Sequence, residues 1–167
     1  EDLQEMETLV EEFLAFARGE GTEEPTESDL GEIVISVARA ASTDEQHIEG
    51  KIDGDLKILI RPNAIRRCIT NLVINSITHS KTVRVSAYRQ GAIVEISVDD
   101  DGPGIPPEEY ESVFKPFYRL DASRNPGTGG TGLGLSIARD LARGSGGEVT
   151  LGESSLGGLR ATIQLPI

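Results

Sequence analysis

The hydrophobic pattern of this chain switches between two periods, and that switching restricts the fold more than any other feature. Residues 62–79 place apolar side chains three and four positions apart, the spacing of a helix with one buried face. Residues 82–89 and 92–98 instead alternate apolar and polar positions, as half-buried strands do, and Gln90-Gly91 joins them as a turn. Because helices and strands are mixed without regular β-α alternation, we predict an α+β fold.

The remaining segments extend this mixture of helices and strands. A further helix is predicted from Ser28 or Asp29, either of which can cap it, to about Ser42. Another is predicted from about Thr131 to Arg143. We expect the strands to pair mostly as hairpins, which favours an α+β sandwich. A short helix is expected near residues 107–113, and short strands at residues 47–53, 56–60, 148–151 and 159–165.

The acidic composition limits what this chain can bind. Its formal net charge is −12, and no block of Lys or Arg offsets that charge locally, which opposes attachment to nucleic acid or anionic lipid. A polyanionic ligand would therefore need metal ions, backbone amides or a few arginines. The single cysteine, Cys68, cannot form an internal disulfide, so we expect a reducing compartment. We expect no membrane span and no signal peptide, because no apolar run is long enough.

The N-terminal residues 1–18 predict a helix of a different kind. Their apolar side chains recur at alternating steps of three and four, the a/d spacing of a seam that needs a partner helix. We expect this helix to be the end of a longer helical element. The alternative is an ordinary amphipathic surface helix packed on its own domain. Residues 19–27, GEGTEEPTE, are polar and contain glycine and proline, which predicts a linker.

Two asparagines lie on one face of the helix predicted at residues 62–79. Asn71 and Asn75 are four residues apart, among apolar neighbours that make buried amides costly unless something satisfies them. An amide oxygen suits a hard cation such as Mg²⁺, and an amide NH₂ group can reach phosphate. The alternative is a pair of surface or capping asparagines. His79 lies one turn further along, where it is either a ligand contact or a helix-terminal histidine stabilised by the helix dipole.

An acidic turn follows the strand predicted at residues 92–98. In residues 99–104, DDDGPG, one carboxylate can accept a hydrogen bond from an exocyclic amine such as that of adenine, while the glycines let the base approach the backbone. One alternative is a solvated acidic turn. A calcium loop is another, but prolines crowd the segment and a strand rather than a helix precedes it.

Half of residues 127–136, GTGGTGLGLS, are glycine. Gly127, Gly129 and Gly132 match the dinucleotide-binding pattern G-x-G-x-x-G, but the residues before them are typical of a loop, whereas that pattern needs a preceding strand. No Gly-Lys-Ser/Thr follows, which excludes a Walker loop. These glycines are therefore explained either by binding of another kind of anion or by mobility of the segment.

Taken in order, these segments resemble the ATP-binding domain of sensor histidine kinases, in the GHKL superfamily of ATPases and kinases. The matching motifs are NLVINSITHS at 71–80, DDGPG at 100–104, FKPFYR at 114–119 and GTGLGL at 130–135. Among kinases the chain looks most similar to the osmosensor type. The resemblance implies a Bergerat fold for residues 28–167: a two-layer α/β sandwich whose mixed, mostly antiparallel sheet is covered on one face by helices. Residues 1–18 then resemble the end of the second helix of a dimerisation domain.

The resemblance implies a role for each motif. Asp100 would receive the adenine amino group, and Asn75 would bind Mg²⁺ with Asn71 supporting it. Where such kinases often have a basic residue, this chain has Thr78, and we expect Arg119 and Arg124 to substitute for it. The implied catalytic residues are Asn71, Asn75 and Arg119, with Asn75 as the metal ligand. The full implied nucleotide site comprises Asn71, Asn75, His79, Asp100, Gly102, Gly104, Ile105, Arg119, Arg124, Gly130, Thr131, Gly132, Leu133 and Gly134.

The glycine-rich segment would form a lid over the triphosphate. Its backbone amides around Gly132 to Gly134 and the start of the following helix would face anionic oxygens. Phe114 and Phe117 would anchor the base of that lid; the alternative is that they are simple core aromatics. With a net charge of −12, such neutral donors together with Mg²⁺ are what allow ATP to bind.

The resemblance also distinguishes phosphate transfer from hydrolysis. ATPases of the superfamily have a glutamate base four residues before the metal-binding asparagine, where this chain has Asn71, and an amide cannot take up a proton. We therefore expect a histidine kinase that phosphorylates a histidine on a dimerisation domain, because neither His47 nor His79 has a phosphoacceptor context. The alternatives are an ATPase or anti-sigma-type serine kinase, and a non-catalytic nucleotide-binding module. The expected partners are ATP, that domain and a response regulator, in a homodimeric parent protein anchored in the inner membrane with this domain in the cytoplasm.

Overall fold

A computed structural model of the chain describes residues 3, 6, 7, 10, 23–118 and 134–167. The four described N-terminal residues, Leu3, Met6, Glu7 and Val10, are helical, as the a/d pattern predicted. Most of the predicted helix at 1–18 and residues 19–22 of the predicted linker lie outside the described residues, so this division of the chain stays a prediction. No helix among the described residues is both long enough and apolar enough to cross a membrane.

Helices and strands alternate irregularly along the described chain, as predicted. The predicted helix at 107–113 is wrong in detail: two 3₁₀ turns form there, because the segment is too short to nucleate an α-helix. The elements are β1 (Thr26–Asp29), α1 (Leu30–Ala41), β2 (Ile48–Asp53), β3 (Lys57–Ile60), α2 (Pro62–His79), β4 (Val83–Gln90), β5 (Ile93–Asp100), the 3₁₀ turns Pro107–Glu109 and Ser112–Phe114, α3 (Gly134–Gly144), β6 (Glu148–Glu153) and β7 (Leu159–Pro166).

The strands form a five-stranded sheet in the order β2-β4-β5-β7-β6 and a separate two-stranded sheet of β1 and β3. All neighbours are antiparallel except β2 and β4, which are parallel. β2 and β3 lie in different sheets, so the expected pairing of consecutive strands as hairpins does not hold for these two. A parallel β2-β4 pair needs a crossover connection, and α2 lies in that connection. The crossover lays the apolar face of α2 on the sheet, and a local hairpin cannot do that.

The core lies between the three helices and one face of the large sheet. α1 starts where Asp29 Oδ1 accepts a hydrogen bond from the backbone N–H of Glu32 (3.3 Å), an N-cap as predicted. α2 starts at Pro62, which fits the first helical turn because a missing N–H costs nothing there. One continuous cluster joins both layers, including the fully buried Val34, Ile65, Ile69 and Leu72 of the helices and Val85, Ile96 and Ile163 of the strands.

The segment predicted as a linker is partly built into the domain. Its last residues, Thr26 and Glu27, pair with β3. The carboxylate of Glu23 accepts hydrogen bonds from the backbone N–H groups of Asn63 (3.0 Å) and Ala64 (3.1 Å), at the start of α2. Glu23 thus caps α2, whose own N-cap residue makes no side-chain cap hydrogen bond. A polar strand and a distant cap have no local hydrophobic signal, so the sequence pattern alone does not show these contacts of residues 23–27 with the domain.

Candidate functional site

Asp100 is a buried carboxylate at the end of β5, with 4% of its surface exposed. Its Oδ1 atom accepts two backbone hydrogen bonds, from Gly102 N–H (3.0 Å) and Leu159 N–H (3.0 Å). Within the described residues, Oδ2 has no hydrogen-bond partner. A buried carboxylate normally satisfies both oxygens, so Oδ2 is an acceptor available to a ligand.

The three consecutive aspartates have different surroundings, which identifies the one suited to binding. Asp99 Oδ1 accepts from the Arg160 guanidinium at 2.7 Å. Asp101 Oδ1 accepts from the backbone N–H groups of Lys81 (2.9 Å) and Thr82 (3.0 Å). The bonds from Thr82 and then Lys81 lower the pKa of Asp101. Asp99 and Asp101 are thus both engaged by neighbouring residues of the protein, whereas Asp100 keeps one oxygen without a partner among the described residues.

Gly158 makes the position of Asp100 possible, and sequence reasoning missed it. Its N–H donates to the Asp100 carbonyl at 3.0 Å. A Cβ atom on Gly158 would overlap Asp100 Oδ1 and lie 2.6 Å from Gly102 N. Gly104, in the predicted motif, has a φ of +74°. A Cβ atom added to Gly104 would lie 3.7 Å from the backbone of Gly158. The available signal was the glycine pair just before β7, which looks like an ordinary turn.

The face of α2 that carries the asparagines runs from the acidic turn to the start of α3. At one end, a Cβ atom on Gly102 would lie 2.6 Å from the His79 carbonyl oxygen. At the other end, a Cβ atom on Gly134 would lie 3.8 Å from the Asn71 carbonyl oxygen. Eight residues of helix separate His79 from Asn71, a span of about 12 Å. The described parts of the predicted site therefore surround one elongated surface rather than a point.

The side chains on this face differ in burial. Asn71 and Asn75 are half-buried, whereas His79 is exposed. The Nδ2 atom of Asn71 is buried and has no hydrogen-bond partner among the described residues. A buried amide donor without a partner costs about 1–3 kcal/mol, so its persistence indicates a partner that the described residues do not supply. Ile105 packs partly buried against the core beside the acidic turn.

The two phenylalanines of the FKPFYR segment behave differently. Phe114 is buried, and the Arg139 guanidinium lies 4.2 Å from the centre of its ring. Phe117 is 63% exposed and has a φ of +66°, so the alternative that both are core aromatics is wrong for Phe117. Whether they anchor a lid stays a prediction. The predicted site residues Arg119, Arg124, Gly130, Thr131, Gly132 and Leu133 lie outside the described residues.

Residues 60–167 match the family described as histidine kinase-, DNA gyrase B- and HSP90-like ATPases. The chain belongs to this ATPase family. The matched region runs from the end of β3 to the C-terminus and contains every predicted site residue. The five-stranded mixed sheet with its helices is the Bergerat fold of the family, which confirms the fold prediction.

Sensor histidine kinases are among the proteins to which this member of the ATPase family is similar. It is 43% identical to the sensor histidine kinase CpxA of Escherichia coli over 109 residues, which are 64% of this chain and 23% of CpxA. The NMR structure of the histidine kinase domain of the E. coli osmosensor EnvZ is 35% identical, with a TM-score of 0.65 over 88% of this chain and 92% of that one. Full-length ShkA in complex with AMPPNP is 27% identical, with a TM-score of 0.78 over 95% of this chain and 35% of that one. The chain spans less than a quarter of CpxA.

Proposed function

We propose that this chain is the ATP-binding catalytic domain of a two-component sensor histidine kinase. It transfers the γ-phosphate of ATP to a histidine on a dimerisation domain, for relay to a response regulator. The observation that carries the proposal is the Asp100 carboxylate, buried, fixed by two amides through Oδ1 and with Oδ2 available. Membership of the ATPase family and the similarity to CpxA and EnvZ support the same function.

The adenine end of the site is built around Asp100. Oδ2 accepts a hydrogen bond from the exocyclic amine of adenine, an interaction that guanine, with a carbonyl at that position, cannot make. Gly102 lets the turn approach the His79 carbonyl, Gly104 lets it pack on the Gly158 backbone, and Ile105 offers apolar surface to the base. A charged acceptor makes this hydrogen bond stronger than a neutral one.

The phosphate end lies along α2. Asn71 and Asn75 present amide groups on one face, and α3 begins beside Asn71 at Gly134. The unpartnered Nδ2 of Asn71 fits a phosphate oxygen, which is the acceptor it lacks among the described residues. An amide oxygen on Asn75 fits Mg²⁺, which usually takes one or two protein ligands together with substrate phosphates and water. When bound, Mg²⁺ would neutralise phosphate charge that the acidic protein cannot. His79, Arg119, Arg124 and the residues from Gly130 to Leu133 complete the proposed site.

The nature of residue 71 favours transfer over hydrolysis. Asn71 cannot remove a proton from water, so this site lacks the general base that hydrolysis needs at that position. In the proposed reaction, an imidazole nitrogen of the acceptor attacks the γ-phosphorus as the bond to the β,γ-bridging oxygen breaks, and ADP leaves. The protein then contributes positioning and electrostatic stabilisation rather than proton transfer.

The acceptor histidine comes from a separate domain in this proposal. Neither His47 nor His79 lies in the sequence context of a phosphoacceptor. The exposed apolar side chains of Leu3, Met6 and Val10, at a/d spacing, support a helix that packs against others in a dimerisation domain. We propose a homodimeric parent protein with this domain in the cytoplasm, where ATP and the response regulator are available.

Calorimetric titration of the purified chain with AMPPNP, with and without Mg²⁺, tests the binding step. Incubation with labelled ATP and a dimerisation domain encoded by the same gene tests transfer. The proposal expects Mg²⁺-dependent binding and label on the acceptor histidine. Steady phosphate release without the acceptor would instead favour an ATPase. Binding without any transfer would favour a non-catalytic nucleotide-binding module.

A further inference from the structure

Arg139 lies in the middle of α3, and its side chain is only 15% exposed. Its guanidinium donates to Glu111 Oε1 at 2.8 Å and to Glu148 Oε1 at 3.2 Å. The same group lies over the Phe114 ring, 4.2 Å from its centre. One side chain thus connects α3 with the segment of the two 3₁₀ turns and with the start of β6.

These contacts join the two ends of the proposed nucleotide site. Glu111 and Phe114 belong to the segment that leads directly away from the turn after Asp100. Gly134, at the start of α3, approaches the Asn71 backbone. Arg139 lies little more than one helical turn after Gly134 in the same helix. The ion pairs and the ring contact therefore link the segment that follows the acidic turn to the helix that begins beside Asn71.

Arg143 provides a natural comparison, because it shares one partner with Arg139 and lacks the others. It donates to Glu148 Oε1 through Nε at 3.1 Å and to Oε2 through Nη2 at 3.0 Å. Its side chain is 51% exposed, and within the described residues its ion pair is with Glu148. Arg143 thus belongs to the α3–β6 part of the network and not to the part that reaches Glu111 and Phe114.

We infer that Arg139 is a positioning residue for nucleotide binding, which fixes the segment carrying Glu111 and Phe114 against α3 so that one ligand meets both ends of the site. The inference rests on the proposed function. A ligand that contacts both ends gains affinity when the protein holds them at the correct separation beforehand. A ligand that contacts one end gains nothing from that constraint, so the two ligand types separate a positioning role from general stabilisation.

The test compares Mg²⁺-AMPPNP, which reaches both ends, with adenosine, which reaches the adenine end. Affinity is measured by calorimetry for the first and by NMR titration for the second, on the wild type, Arg139→Gln and Arg143→Gln. Arg139→Gln is expected to weaken AMPPNP binding about tenfold, the effect of losing a hydrogen-bonded ion pair, and to leave adenosine affinity within about twofold. Arg143→Gln is expected to change both affinities less than about twofold.

Two further variants keep the test informative if Arg139→Gln unfolds. Glu111→Gln alters a side chain that is 80% exposed, so the fold should tolerate it, and it should weaken AMPPNP selectively but less. Arg139→Lys keeps a cation over Phe114 and should recover part of the AMPPNP affinity. Equal loss of both ligands, or equal effects of Arg139→Gln and Arg143→Gln, would overturn the inference. If the wild type binds neither ligand, the proposed function itself fails.

Discussion

Gly158 and Asp100 are in such close contact that no side chain fits between them. A Cβ atom on Gly158 would overlap Oδ1 of Asp100 and lie 2.7 Å from its carbonyl oxygen. The Gly158 N–H donates to that same carbonyl. The turn before β7 therefore determines where the buried carboxylate at the end of β5 can lie, although 57 positions of sequence separate them.

Gly158→Ala should move the carboxylate and weaken nucleotide binding. An added methyl in a filled space destabilises a fold by about 1–3 kcal/mol, because its neighbours must shift. We expect a loss of that size in the free energy of unfolding, with loss of AMPPNP binding. Gly152→Ala is the control, since an added Cβ there meets nothing within 4 Å. Similar behaviour of the two variants in denaturation and calorimetry would show that Gly158 does not constrain Asp100.

Asp100→Asn should lower affinity for AMPPNP about 10- to 100-fold, the value of a hydrogen bond to a charged acceptor. The two backbone N–H groups that donate to Oδ1 would hold the asparagine carbonyl oxygen in the same position. The new NH₂ group would then face the adenine amine, donor against donor. Asp101→Asn, which changes the same charge one residue away, should leave affinity unchanged. Equal affinities of Asp100→Asn and the wild type would remove Asp100 from the site.

The Asp101 carboxylate should contribute to the free energy of unfolding at neutral pH and lose that contribution in acid. Backbone N–H groups of Thr82 and Lys81 lower its pKa in the folded protein. A depressed folded pKa gives stability that is complete above the unfolded value, about 3.9, and is lost as pH falls through the folded pKa. The difference in unfolding free energy between wild type and Asp101→Asn should therefore be present at pH 7 and shrink below about pH 4. If the difference in unfolding free energy is the same at neutral and acidic pH, the Asp101 carboxylate does not stabilise the fold through these hydrogen bonds.

The elements with local signals were predictable, and those stabilised from a distance were not. The bounds of α2 follow from its apolar periodicity and from Pro62. The β4–β5 hairpin follows from alternation and from Gly91, whose φ of +63° suits the turn. β1 reads TESD, with no apolar residue, because its stability comes from pairing with β3. Local pattern also cannot show that β2 and β3 enter different sheets.

The same distinction applies to the site. The acidic turn and the asparagine face could be found because each is a compact motif, and the structure brings Gly102 close to His79 and Gly134 close to Asn71. The pattern alone does not show which of three adjacent aspartates keeps an oxygen without a protein partner, since that depends on partners contributed by Arg160, Lys81 and Thr82. Contacts between distant segments decide such questions.

Glu23→Gln should destabilise the domain at the start of α2. The Glu23 carboxylate accepts from Asn63 N–H and Ala64 N–H, where it also faces the positive end of the helix dipole. Removing that charge should lower the free energy of unfolding by about 1 kcal/mol. Glu24→Gln, an exposed neighbour, should stay within about 0.5 kcal/mol of the wild type. Identical denaturation curves for the two variants would show that Glu23 does not contribute as a cap.

Asn75→Ala should remove phosphate transfer more than adenine recognition. The proposed metal ligand lies on the α2 face between the adenine end, at His79, and the start of α3, beside Asn71, so its loss should leave adenosine affinity within about twofold. AMPPNP affinity should fall and no longer depend on Mg²⁺, because the protein ligand to the ion is gone. Transfer to the dimerisation domain should then be undetectable.

Thr78→Ala is the matched control for Asn75→Ala, because Thr78 is an exposed polar residue one turn along the same helix. Its hydroxyl donates to the Ile74 carbonyl at 2.8 Å, a contact within the helix that binding does not require. Thr78→Ala should keep the Mg²⁺ dependence of AMPPNP affinity, measured by calorimetry with and without EDTA. If Asn75→Ala also keeps that dependence, or loses adenosine and AMPPNP equally, Asn75 does not hold the metal.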